Sequence, residues 1–176
     1  MWRLLLNGDF MGVTQKTVKN QIPEMIKNCE ALNKRKIMVG VLEGAAQWLA
    51  AIHEYGCDIT VTPKMRAFLH YQGLHLSPNT TEIHIPERSF LRSGHDKYVD
   101  EVLKKTELAL PQVVSGKMSA DTFCDMVGQI LASKIKAFAI DLKSPPNHPY
   151  TVEQKGSSNP LIDTGQMIEG ITWKVE

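Results

Sequence analysis

Two short fragments of the sequence resemble the start of a metal-dependent catalytic motif. His53-Glu54 begins like the zinc-protease pattern H-E-x-x-H, in which two histidines one helical turn apart bind the metal. Cys57 stands where the second histidine would be, and two ligands are only half of a structural zinc site. Cys57 also follows Gly56, a residue typical of a helix end, so we expect it to lie beyond the helix. We interpret His53 as a packed or capping histidine and predict no metal site and no cofactor.

Other catalytic patterns in the chain are isolated. Ser133 and Lys136 fit S-x-x-K, but they lie in the middle of a predicted helix and lack the companion motifs. There is no G-x-G-x-x-G and no phosphate-binding P-loop. Two pairs of aspartates four residues apart could hold a divalent ion, but carboxylates in the first turn of a helix are more often exposed to water and favoured by the helix dipole. These pairs are Asp96 with Asp100, and Asp121 with Asp125. We therefore predict that the chain is not an enzyme.

Residues 61–95 form the most distinctive patch of the sequence. Histidines in this patch would add positive charge below about pH 6.5. One interpretation is a weak phosphate-facing surface that contacts DNA. The other, which we favour, is a solvated or subunit-facing segment. The patch contains Lys64, Arg66, Arg88 and Arg92, two glutamates, and the histidines His70, His75, His84 and His95.

The composition indicates an ordinary globular chain. It has 176 residues, 43% of them apolar, and a formal net charge of +1. A chain of this size buries about 70% of its surface, so it needs no metal or disulfide to hold a core. Near-neutral charge argues against a histone-like nucleic-acid binder. No apolar stretch reaches the ~7–15 residues of a secretory signal or the ~20 of a membrane span. Three widely spaced cysteines fit a reducing compartment.

In the first half of the chain, apolar spacing predicts alternating strands and helices. Residues 2–6 form a candidate strand. A helix is predicted over 14–33 with a kink at Pro23, or else it begins near Asn20 so that Pro23 lies in its first turn. Residues 37–42 then read as a buried strand.

Residues 45–55 are predicted to form a helix that ends at Gly56. Its buried face is expected to consist of Trp48, Leu49, Ile52 and Tyr55. Three short strands are expected to follow, at 59–61, 68–71 and 83–85.

In the second half, the spacing predicts a helical hairpin. Its first helix begins near Asp96 and kinks or breaks at Pro111, and Ser119 caps the second helix. Residues 144–160 are too rich in proline and small polar residues for a regular element and are expected to be an extended loop or arm. A short helix over 161–169 and a strand over 171–175 would end the chain. We predict a single α+β domain, 1–176, with a small, mainly antiparallel sheet packed with several helices.

Four segments, in this order and spacing, resemble one protein family. The segments are 37–44 (IMVGVLEG), 51–56 (AIHEYG), 85–92 (IPERSFLR) and 160–167 (PLIDTGQM). Together they resemble the tail-completion proteins of long-tailed bacteriophages and prophages, which are neck proteins similar to minor tail protein Z. The resemblance covers roughly residues 37–170, and the pair I-P-x-R-x-F-L-R and P-L-x-D-T-G-x-[LM] is its most specific part.

The resemblance implies a virion structural protein without enzymatic activity. Such a protein would act in tail completion and head–tail joining at the neck, as a homo-oligomeric ring around the DNA channel. Its partners would be other neck and tail proteins, such as a tail terminator, a connector or a head-closure protein, with transient contact with DNA and none with a membrane. It would be assembled in the cytoplasm of the bacterial host. The alternatives are a DNA-contacting protein that uses residues 61–95, or a tail-terminator or head-closure protein.

The matching motifs suggest candidate interface residues. Arg88 and Arg92 either bind carboxylates of a neighbouring subunit or DNA phosphates, or they form local salt bridges with Glu87 or Asp96. Pro86 is expected to end strand pairing and to set the direction of the arginine-bearing segment. The other candidates are Asp163 and Thr164, expected first to cap the short helix and then to contact a neighbour, and Tyr150 in the arm.

Overall fold

The computed structural model describes residues 20–44 and 46–176. Within this part, the helices are α1 (Ile22–Asn33), α2 (Ala46–Tyr55), α3 (Pro63–Tyr71), α4 (Phe90–Glu107), α5 (Leu110–Val114), α6 (Ala120–Asp141), α7 (Pro149–Lys155) and α8 (Gln166–Glu169). The strands are β1 (Ile37–Val41), β2 (Cys57–Thr60), β3 (Glu82–Ile85) and β4 (Ile171–Val175). The α+β class is confirmed. The candidate strand at residues 2–6 lies outside the described residues.

The described strands form two separate antiparallel pairs. β1 pairs with β4, with Val39 opposite Trp173, so the pair joins residues far apart in the chain. β2 pairs with β3, with Ile59 opposite Ile83. The antiparallel arrangement predicted from the sequence is confirmed, and it is divided between two ribbons.

The predicted helical hairpin is confirmed and forms the centre of the fold. α6 packs against α4 along much of its length, and its buried side chains include Phe123, Leu131 and Ile135. The hydroxyl of Ser119 accepts a hydrogen bond from the amide of Thr122 at 3.0 Å, which caps α6 as expected. The first helix of the hairpin begins at Phe90 rather than near Asp96. Its first turn is held by the Glu54 carboxylate of α2, which accepts hydrogen bonds from the amides of Leu91 and Arg92.

The β1–β4 ribbon lies on another side of α6. A Cβ atom added at Gly128 of α6 would lie 2.5 Å from the Trp173 side chain, so only glycine lets the indole pack this closely. The indole Nε1 donates to the Asp125 carboxylate at 3.2 Å. This contact fixes β4, and with it β1, against the central helix.

The β2–α3–β3 segment, residues 57–85, lies outside the main core, since it contains none of the buried apolar side chains. The expected strand at 68–71 is wrong, because these residues belong to α3. The helix is favoured locally. Thr62 accepts a hydrogen bond from the amide of Met65 at 3.1 Å, and Pro63 occupies the start of the helix, where its missing N–H is harmless.

Two further expectations about helices are corrected. α1 begins at Ile22 with Pro23 in its first turn, so the kinked alternative does not apply to the described residues. Residues 144–160 are not extended throughout, because seven of them form α7. The Nδ1 atom of His148 accepts from the amide of Tyr150 at 3.3 Å, Pro149 begins the helix, and Gly156 ends it in the left-handed conformation.

The orientation of α2 is opposite to the prediction. Trp48 and Tyr55 are 72% and 67% exposed, whereas Ala50 and Glu54 are buried. Apolar spacing alone placed the aromatic side chains inside, but the helix is held by a buried carboxylate on its other face. No helix in the described part of the chain has the length and apolar character needed to cross a membrane.

Candidate functional site

Glu54, near the end of α2, caps the start of α4. Its side chain is 3% exposed, and its carboxylate accepts hydrogen bonds from the amides of Leu91 at 2.8 Å and Arg92 at 3.0 Å. The Ser89 hydroxyl donates to the same carboxylate at 3.2 Å. The first amides of a helix have no partners inside the helix, and a negative charge at that end interacts favourably with its dipole. Ser89, at the N-cap position, makes no capping bond with its own side chain, so Glu54 fulfils this role from a different helix.

Arg92 reinforces this connection. Its Nε donates to the Glu54 carboxylate at 2.9 Å, and its Nη2 donates to the Glu54 backbone carbonyl at 2.9 Å and to Glu87 at 2.7 Å. The guanidinium also lies over the Tyr55 ring, 4.8 Å from its centre. The hydrogen bond to Glu54 raises the pKa of Arg92. Of the two interpretations left open by the sequence, the structure has the local salt bridge, and to Glu87 rather than Asp96.

Arg88 is buried, with 3% of the residue exposed, and it binds a different segment. Its Nε donates to the carbonyl of Pro145 at 2.7 Å, and its Nη2 donates to the carbonyl of Pro146 at 3.0 Å and to Oδ1 of Asn147 at 3.1 Å. Burial lowers the pKa of Arg88. The guanidinium therefore fastens the beginning of the proline-rich segment to the body of the protein.

His53 contacts Arg88 and also lines a cavity beside it. Its Nδ1 is 3.4 Å from Nη1 of Arg88, and because a guanidinium can only donate, this nitrogen must act as the acceptor. Burial, with smaller contributions from the charges of Arg88 and Lys155, lowers the pKa of His53 to about 4. The imidazole is therefore neutral at physiological pH. We call the cluster of His53, Glu54, Arg88 and Arg92 the α2–α4 junction.

A cavity of about 320 Å³ adjoins the α2–α4 junction. Its wall includes His53, Asn147 and Lys155, and also the exposed Asp163 and Thr164. The Lys155 ammonium donates to carbonyl oxygens of the 159–162 turn, at 2.5 Å for residue 159 and 2.9 Å for residue 162. The lysine thus stabilises the turn that forms the cavity wall.

Asp163 and Thr164 are not helix caps, so that prediction is wrong. α8 begins only at Gln166, after Gly165, and no side chain caps it. Gly165 has a φ of +87°, and its nearest neighbour to an added Cβ atom is 3.9 Å away, so the backbone conformation rather than a steric clash calls for glycine.

The structure brings most of the candidate residues into one region. Arg88 and Arg92 belong to the α2–α4 junction, and half-buried Pro86 follows the last residue of β3, as expected. Asp163 and Thr164 lie on the cavity that His53 also lines, whereas half-buried Tyr150 lies on α7 and is not part of the cavity wall.

The central residue that sequence reasoning missed is Glu54. The available indication was an acidic residue in the last turn of a mostly apolar helix, upstream of a segment with two arginines. His53 was correctly interpreted as a packed histidine. Cys57 begins β2, beyond the end of α2, as expected. Among the described residues, no group of three or more histidine, cysteine, aspartate or glutamate side chains could hold a metal ion.

The positive patch at 61–95 is also used internally. Arg66 donates to carbonyl oxygens of the 76–80 loop, at 2.8 Å for Ser77 and 2.5 Å for Thr80. His70 and His75 contact each other through Nδ1 atoms 2.7 Å apart, and His84 binds Asp58. All three arginines of the patch thus have acceptors within the chain.

Searches against family models, curated proteins and solved structures gave no match for this chain. The geometry of the α2–α4 junction provides the basis for a functional interpretation. Its charged groups bind backbone amides, backbone carbonyls and each other, so their chemistry positions segments of the chain.

Proposed function

We propose that this chain is a non-enzymatic structural protein of a phage or prophage virion, acting in tail completion and head–tail joining at the neck. One observation carries the proposal beyond the sequence resemblance. Three of the four family-like segments, 51–56, 85–92 and 160–167, meet at the α2–α4 junction and its adjoining cavity. Their polar side chains connect elements of the fold, as expected for residues that define a framework.

The exposed surface of α2 provides a second line of support. Trp48 and Tyr55 lie seven residues apart on one helical face, and both are more than half exposed. Aromatic residues are enriched at protein interfaces, where a rigid ring buries much area. We call this pair the aromatic face of α2. In a ring, such a face would contact a different surface of the next subunit.

The most direct experiment is electron microscopy of virions in which this protein carries a label. The expected result is density at the neck, between the capsid portal and the tail. Deleting the gene should leave tails that do not join filled heads, and the wild-type gene should restore joining. A label elsewhere on the tail would favour a tail-terminator or another tail role. Absence of the label from virions, with normal joining after deletion, would overturn the proposal.

The DNA-contacting alternative predicts salt-sensitive duplex binding through the 61–95 patch. Because Arg66, Arg88 and Arg92 already have intrachain acceptors, we expect no specific duplex binding even at low salt. A fluorescence-anisotropy titration with a labelled duplex tests this. Binding that weakens in the Lys64→Ala variant, with the fold intact, would favour the alternative.

A further inference from the structure

The cavity beside the α2–α4 junction is lined by side chains that can donate hydrogen bonds. Its volume of about 320 Å³ lies at the lower end of the range for small-ligand sites. Three half-buried side chains on its wall carry N–H donors, namely those of His53, Asn147 and Lys155. Contacts inside the chain decide which atoms of these side chains are available to a ligand.

Arg88 fixes the tautomer of His53. Nη1 of Arg88 lies 3.4 Å from Nδ1 of His53, and because a guanidinium can only donate, Nδ1 carries no proton. His53 is neutral at physiological pH, since burial lowers its pKa to about 4. A neutral imidazole that lacks a proton on Nδ1 carries it on Nε2. The group that His53 can offer in this cavity is therefore an N–H donor.

The same arginine orients Asn147. Oδ1 of Asn147 accepts from Nη2 of Arg88 at 3.1 Å, so the amide nitrogen is the end of the side chain that faces away from the guanidinium. This nitrogen donates to the carbonyl of Pro160, another residue of the cavity wall, over a long distance of 3.5 Å. That contact uses only one of the two N–H donors of the amide.

Lys155 adds a positive charge to these two donors. Its ammonium donates to the carbonyls of residues 159 and 162 at 2.5 and 2.9 Å, and to that of residue 160 at 3.5 Å. The third contact is at the limit of a hydrogen bond, so a stronger acceptor can replace it. Burial lowers the pKa of Lys155. The charge of Asp163 opposes this lowering, and that of Arg88 adds to it.

The region around the cavity has an excess of positive charge. In the described part of the chain, Arg88 and Lys155 are bonded to carbonyl, amide and imidazole acceptors, all of them neutral. Arg92, by contrast, is bonded to two carboxylates. Asp163 also lines the cavity, but it is exposed to solvent. Because a buried cation is costly without an anion nearby, the two cations favour an anionic ligand in the cavity.

Apolar side chains limit the kind of anion that fits. Leu49, Leu161 and Met167 also line the cavity, and the last two are buried. A matching ligand has a negatively charged end that only accepts hydrogen bonds and a short apolar stem. An ionised carboxylate on an aliphatic chain meets both requirements, because its two oxygens accept and neither donates.

We propose that the cavity binds a carboxylate, which accepts hydrogen bonds from Nε2 of His53, Nδ2 of Asn147 and the ammonium of Lys155. The aliphatic stem of the ligand packs against Leu161 and Met167. The carboxylate belongs either to a free organic acid or to an acidic side chain of a second copy of this chain, and the chemistry of recognition is the same for both. The assignment does not depend on a role in a virion.

Titration of the full chain with butyrate, followed by NMR at constant ionic strength, tests the site. Butyramide is the matched probe, since it has the same stem and a carbonyl acceptor but no charge. We expect butyrate to shift the Asn147 side-chain amide and the backbone amides of residues 161–166, with a dissociation constant on the order of 1–10 mM for so small a ligand. Butyramide should bind at least about tenfold more weakly, because hydrogen bonds to a charged acceptor are stronger.

Lys155→Gln tests the role of the positive charge. Glutamine keeps N–H donors beside the 159–162 turn but is neutral, so butyrate binding should weaken about tenfold or more. Lys143→Gln is the matched control, because Lys143 is exposed, follows α6 and is not part of the cavity wall. It should bind butyrate as the wild type does. Circular dichroism checks that both variants fold, and the comparison of butyrate with butyramide in the wild type tests the site independently of either variant.

The same spectra identify the source of the carboxylate. If the cavity amides shift with increasing protein concentration and butyrate reverses the shift, the acidic side chain belongs to a second copy of the chain. If their positions do not depend on protein concentration, the ligand is a free organic acid. Both outcomes support a carboxylate site.

Four results would overturn the proposal. The first is the absence of saturable shifts up to about 50 mM butyrate, well above the affinity expected for a ligand of this size. The second is equal binding of butyrate and butyramide. The third is unchanged butyrate binding by a folded Lys155→Gln variant. The fourth is tighter binding of inorganic phosphate than of butyrate, which would assign the cavity to a different anion.

Discussion

The distribution of charged and aromatic side chains over the two faces of α2 is the reverse of that in most surface helices. Its buried face carries the charged Glu54, while its exposed face carries Trp48 and Tyr55. A helix positioned by hydrophobic burial would have the aromatic rings inside and the carboxylate in water. Here the helix is positioned by the four hydrogen bonds that the Glu54 carboxylate accepts from α4 and the residue before it.

This difference assigns distinct tasks to the two faces. The α2–α4 junction satisfies its polar groups within the chain, and no buried side-chain nitrogen or oxygen among the described residues lacks a partner. The aromatic face of α2 contributes little to the core and remains available for contact with another protein. We therefore expect variants of the buried face to lower stability and variants of the exposed face to affect association.

The largest expected effect is that of Glu54→Ala. It removes the acceptor for the amides of Leu91 and Arg92, and it leaves the Arg92 guanidinium with Glu87 and the backbone carbonyl of residue 54. We expect a loss of about 3–5 kcal/mol in the free energy of unfolding, because two helix-start amides and the Ser89 hydroxyl lose their buried acceptor. Urea titration followed by circular dichroism measures it. The control Glu87→Ala removes the exposed partner of Arg92 and should cost below about 1 kcal/mol. Equal losses in the two variants would show that Glu54 has no special role in positioning α2.

Gly56→Ala should have the next largest effect. Gly56 has a φ of +73°, and an added Cβ atom would lie 2.9 Å from the amide nitrogen of Glu87 and from the carbonyl oxygen of Ile85. Because both neighbours are backbone atoms, α2 and the 85–92 segment must separate, and we expect a loss of about 2–3 kcal/mol. Gly73→Ala is the control, since Gly73 has a φ of +88° but no atom within 4 Å of an added Cβ. Urea titrations that gave Gly73→Ala the larger loss would contradict close packing at the α2–α4 junction.

Arg88→Lys tests how the proline-rich segment is fastened. A lysine keeps the charge but cannot reproduce the forked geometry that reaches Pro145, Pro146 and Asn147 together. We expect about 1–2 kcal/mol lower stability, with faster hydrogen exchange of α7. Arg66→Lys should instead loosen the 76–80 loop and leave α7 unchanged. Faster exchange of α7 in both variants would indicate a general loss of stability rather than a local role of Arg88 in holding residues 145–147.

Much of the fold could be predicted from local sequence patterns, because strong local preferences agreed with the tertiary structure. The β1 and β4 strands and the α4–α6 hairpin follow from apolar spacing and from the Ser119 cap. The helix α3 was predicted in part as a strand, since Phe68–Tyr71 is apolar and aromatic. The capping by Thr62 and Pro63 was the deciding local feature.

The candidate site was less predictable because it depends on contacts between distant segments. The two arginine positions were identified, but their acceptors lie up to 59 residues away in the chain. The face of α2 could not be chosen from periodicity, because two faces of this helix are apolar enough and only the Glu54 contacts distinguish them. Similarly, Asp163 and Thr164 have the composition of a helix start, yet α8 begins after Gly165.

The pH dependence of stability provides a smaller test of the buried face. In the folded chain the pKa of His53 is lowered to about 4, against an ordinary value of 6.5. As the pH falls, His53 therefore binds a proton in the unfolded chain before it does so in the folded chain. The contribution of neutral His53 to stability is complete above pH 6.5 and is lost as the pH drops from 6.5 toward 4. His53→Gln should flatten this decline in urea midpoints measured across that range.

A separate loss is expected at lower pH. The hydrogen bonds from Lys105 and Lys134 lower the pKa of Glu101 from 4.5 to about 2, so its contribution disappears as the pH falls through that range. An unchanged decline above pH 4.5 in His53→Gln would show that His53 is not the group responsible.

The smallest effect on stability, and the clearest difference between the two faces, is expected for Trp48→Ser. The side chain is largely exposed, so the free energy of unfolding should change by no more than about 0.5 kcal/mol. If the aromatic face of α2 contacts a neighbouring subunit, self-association measured by analytical ultracentrifugation should weaken about tenfold or more, as for a buried aromatic anchor. Leu108→Ser is the matched control, because Leu108 is 84% exposed and lies at the end of α4 rather than on α2. Equal association of the two variants and the wild type would remove the aromatic face as a contact surface and leave only the stability role of α2.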